Sequence, residues 1–276
     1  MTLLVRDEED IIRENIEFHK SQGVDFFIVM DNGSIDATSN ILKEYESIGI
    51  LKYIWNGEER RQYQWVTQMA RMAHTLYDAD WVINNDADEF WWPQQGDLKE
   101  TIQKIPAQYN VLRAQRHNFV SIDEDHAHFF NQMVYREEIS LNPIGEALPP
   151  KVAHKGHEQI IVAPGNHNVA GMENLQIFDG DIEIFHFPIR SYEQLIRKNA
   201  NAGKAYENDN TVPKSVGKAR RTLYEEYKKN GNSLQDYYAQ HLYNKNQIKK
   251  EIKSGLIVKD ARLQNYLNSI LSSKTQ

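Results

Sequence analysis

The chain has no cysteine, which excludes disulfides and thiolate-bound metals. It has no apolar run approaching the ~20 residues that cross a bilayer. Its opening, Met1 to Asp10, lacks the basic-then-apolar order of a secretion signal, so the cytoplasm is the expected location. No internal repeat and no low-complexity tract interrupts it. No nucleic-acid recognition motif appears and the main body is acidic, so no nucleic-acid partner is expected. What remains is 276 residues, 40% hydrophobic and 26% charged. That is the balance of a soluble globular chain, long enough for one large domain or a domain with an appendage.

The net charge of −7 hides an asymmetry. Residues 211–262 carry 12 Lys or Arg against 5 Asp or Glu, a balance of +7, so the remainder sums to −14. Such a basic stretch is either a solvated helix face or a surface for an anionic acceptor or a peripheral membrane contact. Its apolar residues are scattered, which predicts a helical extension over 211–276 packed lightly on a main domain of 1–210.

The stretch from Trp81 to Trp92 organises the rest. Trp81, Val82 and Ile83 read as a buried strand, followed by Asp86, Asp88 and Glu89. Unpaired carboxylates are too costly inside an apolar strand, so these acids belong where the strand leaves the sheet. In open α/β sheets that edge binds ligands. On an extended chain Asp86 and Asp88 would point to one side. Clustered carboxylates without cysteine form a hard oxygen site for Mg or Mn, completed by substrate phosphates and water. An acidic turn without function remains the plain alternative.

The segments before it alternate. A strand at Thr2 to Val5 leads to a helix carrying Ile11, Ile12, Asn15, Ile16 and His19 on one face, ended by Gly23. A continuous apolar strand, Val24 to Met30, runs into Asp31-Asn32-Gly33-Ser34, with Ser34 placed to cap the next helix. A helix bearing Ile41, Leu42 and Tyr45, a strand at Ile50 to Trp55 and a helix through Trp65, Met69, Met72 and Leu76 follow. Residues 1–90 thus read β-α-β-α-β-α-β, a parallel sheet covered by helices on both faces, with Asp31 and Asp86 leaving at the same edge. Residues 117–150 read as a long polar loop.

These motifs resemble the family-2-like glycosyltransferases of the GT-A fold. The resemblance rests on Arg6-Asp7-Glu8, Gly23-Val24-Asp25, Asp31 through Asp36, Trp81 through Phe90, Gly165-Asn166-His167 and His186 through Ser191. It covers about residues 1–200 and departs from the usual Arg-Asn-Glu at Asp7. It implies a GT-A-type Rossmann-like mixed sheet and an inverting transfer from a nucleotide-sugar, typically a UDP-sugar, with Mn or Mg. The acceptor would be a glycan or other hydroxyl compound. By position Asp31 would contact the nucleoside, Asp86 the ribose or the metal, and Asp88 the metal. His186 would complete the metal shell, and the Gly165 loop would lie near the donor sugar.

Further candidates come from the residues themselves. Arg190 suits a bidentate grip on diphosphate, against the alternative of a surface ion pair. Arg61 opens a helix whose N–H groups face the same edge, and so could touch the diphosphate. His126 and His128 have metal-binding spacing in a polar loop. Trp91 and Trp92 are either sugar platforms or core. Inverting transfer needs a general base; Glu158 is preferred over Glu173, Asp123 and Asp125. Two other classes stand beside the transferase. A sugar-nucleotide nucleotidylyltransferase would open on a Gly-rich basic loop, where this chain is acidic. A non-catalytic carbohydrate-binding protein would not need three acids on one edge.

Overall fold

The structure, a computed structural model, describes residues 1–58, 62–123, 128–208 and 217–272. The first part of the chain forms β1 (Thr2–Val5), α1 (Ile12–Ser21), β2 (Phe27–Asp31), α2 (Thr38–Ser47), β3 (Leu51–Trp55), α3 (Gln62–Thr75), β4 (Trp81–Asn85), β5 (Glu89–Pro93), α4 (Leu98–Gln103) and β6 (Val111–Asn118). Then come β7 (Ser121–Ile122), α5 (Phe129–Gln132), β8 (Tyr135–Glu137), β9 (Lys151–Lys155), β10 (Ile161–Val162), β11 (Val169–Ala170) and β12 (Ile177–His186). The last part is α6 (Tyr192–Asn208), α7 (Lys218–Lys229), α8 (Ser233–His241), β13 (Leu242–Tyr243), α9 (Lys245–Ser254), β14 (Ile257–Lys259) and α10 (Arg262–Ser272). No helix among the described residues is long and apolar enough to cross a membrane.

Two compact units result, Met1–Arg116 with Pro149–Ile184, and His117–Leu148 with Phe185–Gln276. The first holds the expected alternation in an eight-stranded mixed sheet of order β3-β2-β1-β4-β9-β6-β12-β5. β1 pairs in parallel with β2 and β4, while β9 runs antiparallel to β4 and β6. Side chains of a strand alternate between faces, and here the neighbours part company. Val82, Val111 and Val152 pack with Trp65, Val66 and Met69 of α3, whereas Ile83, Leu112 and Ala153 pack with Trp91, Leu98 and Ile102. Both faces are therefore apolar and helix-covered, as the α/β reading of the sequence expects. Gly23 ends α1 with φ +86°, and a Cβ there would stand 2.6 Å from Lys99 Cβ. The Asp97 side chain caps α4 by accepting from Glu100 N at 2.7 Å.

The second unit corrects the view of the tail. Leu234 and Leu267 are fully buried, and Ile248 and Ile257 share a cluster with Val120 and Ile122. β13 pairs with β7 and β14 with β8, so the tail and residues 117–148 build one body. The units do not divide at residue 210. Residues 117–148 are too polar to bury a core alone, and the tail supplies the missing apolar partners. Asn244 and Gln247 close a capping box at the start of α9, which fixes where the basic helix begins.

Candidate functional site

The parallel register sets the edge. Val5 is level with Asp31 and Leu3 with Asn85, so the exits of β2 and β4 open on one edge with β1 between them. The loops after β1 and β2 are bonded together there. Asp7, at φ 55°, accepts from Ile35 N at 2.8 Å, and its own N–H donates to Ser34 Oγ at 3.0 Å. Asp and Asn tolerate the left-handed region better than other side-chain-bearing residues, which explains an Asp at this place of the motif. Ser34 therefore ties two loops and does not cap α2, whose first residue is Thr38. Asp31 is fully buried and accepts from Ser34 N at 2.8 Å, from Tyr53 Oη at 3.1 Å and from Ser39 Oγ. It anchors the loop that would receive a nucleoside.

The acids after β4 do not sit on an extended chain. Glu89 N donates to Asp86 O at 3.1 Å, closing a tight turn, and β5 begins at Glu89 itself. The extended chain on which the same-side expectation for Asp86 and Asp88 was based is therefore replaced by a turn. Asp86 is one-third exposed, at 33%, whereas Asp88 is 3% and Glu89 0% exposed. Asn15 of α1 clamps the turn, its Nδ2 donating to Ala87 O at 2.9 Å and Glu89 O at 2.8 Å. Asn85 Oδ1 accepts from Trp91 Nε1 at 3.0 Å. Trp91 is thus fully buried core, and Trp92 stacks on Phe18.

Two cations meet these acids. The antiparallel return brings Lys151, the first residue of β9, to the end of β4, since Ile83 pairs with Ala153. Its ammonium, on a side chain 1% exposed, donates to Asp86 Oδ2 at 2.5 Å and lies 3.3 Å from Glu89 Oε1. Arg116 donates to Glu89 Oε1 at 3.2 Å and to Pro149 O at 3.0 Å. Glu89 Oε2 is buried without a partner. None of these contacts is local in sequence. The one sequence signal was a lysine directly after Pro149-Pro150.

The Gly165 loop reaches the same turn. Gly165 and Asn166 have φ of 76° and 61°, and Asn166 Nδ2 donates to Asp86 Oδ1 at 3.3 Å. His167 Nδ1 donates to Pro150 O at 2.8 Å, and burial, then the nearby Lys151 and Arg116, push its pKa down to about 4. Burial also holds His19 down at about 3 and His154 at about 4. His19 Nε2 accepts from Trp91 N at 3.2 Å, so its proton is on Nδ1, which donates to Asn15 O at 2.9 Å.

These three histidines make the fold acid-sensitive. Their folded pKa values lie below the ordinary 6.5, so on acidification the unfolded chain takes up protons first. Their stabilisation is complete above pH 6.5 and is lost as pH falls from there towards 4 for His154 and His167 and 3 for His19. Each group costs about 1.4 kcal/mol per pH unit within its window. Unfolding free energies from urea titrations at pH 7.5 and 5 should differ by more than one such increment. Equal values would mean that the rings are protonated in the fold.

The sequence pattern described as "Glycosyltransferase family 92" matches residues 1–244, most of the chain and the whole acidic edge. The chain belongs to glycosyltransferase family 92. It is therefore a transferase that moves a sugar. The motifs had resembled family-2-like enzymes; the family that matches is 92, and the activity class is the one expected. Comparison with curated proteins gives no match. Among solved structures, the mannosyltransferase PcManGT from Pyrobaculum calidifontis, in complex with GDP-Man and Mn2+, is 14% identical. The alignment covers 98% of this chain and 79% of that one, with TM-score 0.44. S. aureus TarS 1–349 is 12% identical over 84% of this chain and 73% of that one, TM-score 0.38. HddC from Yersinia pseudotuberculosis is 13% identical over 67% and 92%, TM-score 0.36. Likenesses at this level carry no weight for function.

The remaining candidates of this family 92 chain fall in three places. Glu158 is exposed and follows β9, whose far end pairs with Trp81 at the start of β4. Gly156 N donates to Asp80 O at 2.8 Å, so the antiparallel run of β9 carries the chain towards Glu158 at the edge opposite Asp86. Arg61, Asp125 and His126 lie outside the described residues. His186 and Arg190 belong to the second unit. Asn118 Nδ2 donates to Glu137 Oε2 and Leu141 O, both at 3.0 Å, so its Oδ1 faces His186 and accepts from His186 Nδ1 at 2.7 Å. That bond puts the lone pair on Nε2, the tautomer a metal ligand needs. Burial raises the pKa of Glu137. Arg190 is 4% exposed, and its Nη1 donates to Phe187 O at 3.2 Å.

The expected divalent ion can be tested against these side chains. Among the described residues no group of three or more His, Asp or Glu gathers to hold an ion. The partly exposed Asp86 carboxylate carries an ammonium on one oxygen and an amide on the other. The residues thus fit an ion shared with a substrate's phosphates, as magnesium-type ions often are, and not one caged by protein ligands alone.

Proposed function

We propose that this family 92 enzyme takes its sugar from a nucleotide-sugar, a UDP-sugar in the first instance, and passes it with inversion to an acceptor hydroxyl. The observation that carries this reading is the acidic turn with its buried cations, on the same edge as Asp31. Lys151 meets Asp86 and Glu89, and Arg116 meets Glu89, so the acids gather buried cations around one turn. A diphosphate approaching that turn needs a further cation. Asp86 and Asp88 are the residues of the first unit that would hold it. A divalent ion there supplies Lewis-acid relief of the charge on the departing diphosphate. The loops locked by Asp7, Ser34 and Asp31 offer a rigid wall for the nucleoside, and Asn166 fixes the Asp86 carboxylate. Rigid placement matters because transfer depends on holding donor carbon and acceptor oxygen in line.

Thermal unfolding with UDP, GDP and ADP, each with and without Mn, tests the donor class. UDP with Mn should raise the midpoint most. No shift with any nucleoside diphosphate would overturn the nucleotide-sugar reading. Asp31→Ala should weaken UDP binding by roughly ten- to a hundredfold, the worth of a charged hydrogen bond of ~1.5–3 kcal/mol. Ser39→Ala, which removes one donor to Asp31 and keeps the carboxylate, should weaken it less. Calorimetry giving parent-like UDP affinity for Asp31→Ala removes that residue from the site.

A further inference from the structure

Lys151 has no role in the donor reading as it stands, yet it is the most deeply buried cation at the acidic turn. Its side chain is 1% exposed, it lies 2.5 Å from Asp86 Oδ2, and it is 3.3 Å from Glu89 Oε1. A second cation, Arg116, holds the same Glu89 oxygen, while Glu89 Oε2 is buried with no partner. The turn therefore keeps carboxylate capacity in reserve while its most accessible carboxylate is already neutralised from inside.

We infer that Lys151 is the resident counter-cation of the acidic turn and must give up Asp86 before a divalent ion can bind there. The ion then binds together with the nucleoside diphosphate and only weakly ahead of it. An ion at Asp86 Oδ2 meets the repulsion of the buried ammonium already 2.5 Å from that oxygen. A diphosphate changes that balance. Its oxygens complete the ion's shell and offer the displaced ammonium new acceptors, so charge leaves the Asp86 oxygen without being stranded. Lys151 is on this account a positioning residue, acting on the reaction through Asp86. The inference rests on the donor reading only for the identity of the co-ligand.

Calorimetric titration of MnCl2 into the full chain tests it, first alone and then with saturating UDP. The parent should bind Mn alone weakly, with a dissociation constant on the order of 1 mM or above, and at least about tenfold more tightly with UDP present. Lys151→Met should bind Mn alone at least about tenfold more tightly than the parent, because it removes the ammonium from the Asp86 oxygen. Lys151→Arg should behave as the parent does. Circular dichroism checks that each variant is folded. Parent protein that binds Mn equally well with and without UDP, while also binding UDP, overturns the inference. So does a folded Lys151→Met with parent-like affinity for Mn alone. If Lys151→Met does not fold, the UDP dependence of Mn binding in the parent decides. Should UDP fail to bind while Lys151→Met still gains Mn, the donor reading falls and the role of Lys151 stands.

Discussion

Asp86→Asn should lower the rate of sugar transfer by about a hundredfold or more and leave the melting temperature near that of the parent. The side chain is 33% exposed and its shape is kept, so little packing is lost. Lys151 retains Glu89 as a partner, which spares the fold an unpaired buried ammonium. What disappears is the one partly exposed negative charge of the turn. Removing a single preorganised charged or hydrogen-bonding group from a reaction centre typically costs roughly 10²–10³ in rate. Asp88→Asn tests the neighbouring position and should also reduce transfer, since its charge completes the cation-attracting turn. Initial rates at saturating donor, with circular dichroism as the folding check, measure both. A parent-like rate for Asp86→Asn would place the chemistry elsewhere.

Glu89→Gln should do the opposite, damaging the fold before the chemistry. Glu89 is 0% exposed and one of its oxygens meets both Arg116 and Lys151. Removing its charge takes the carboxylate from the nearly buried Arg116 and leaves Lys151 paired with Asp86. Breaking a buried pair by neutralising one partner commonly costs ~3–5 kcal/mol, because the remaining charge is stranded in a medium that solvates it poorly. Urea unfolding should show that loss as a lower midpoint with an unchanged slope. An unchanged midpoint would mean that water reaches Arg116 and Lys151 and screens them.

The contrast between these neighbours shows where local sequence stops being informative. Asp86, Asp88 and Glu89 look alike as a run of acids after an apolar strand. The turn bond from Glu89 N to Asp86 O exposes the first and buries the other two, and an extended geometry would have treated them alike. Trp91 could be read as sugar platform or core; its bond to Asn85 and full burial settle it as core. Glu158 looked well placed because it stands between a polar loop and the Gly165 turn. β9 carries it to the wrong edge.

What the sequence determined by itself was local and periodic. Apolar runs of strand length, helical stripes at Ile11 to His19 and Trp65 to Leu76, and Gly23 as a stop were enough for the β-α alternation. Parallel strands joined by helices must all exit on one edge, so Asp31 and Asp86 could be placed together without coordinates. Tertiary structure alone decided the partners. Lys151 lies 65 residues from Asp86, and a short strand reads the same whether it will pair in parallel or return antiparallel. That choice of direction brings Lys151 to the acids and takes Glu158 away. It was likewise non-local pairing, β13 with β7 and β14 with β8, that turned a basic tail into half of a second folded unit. Two segments that each bury too little apolar surface alone become stable only against each other, and no local pattern in either one records its partner.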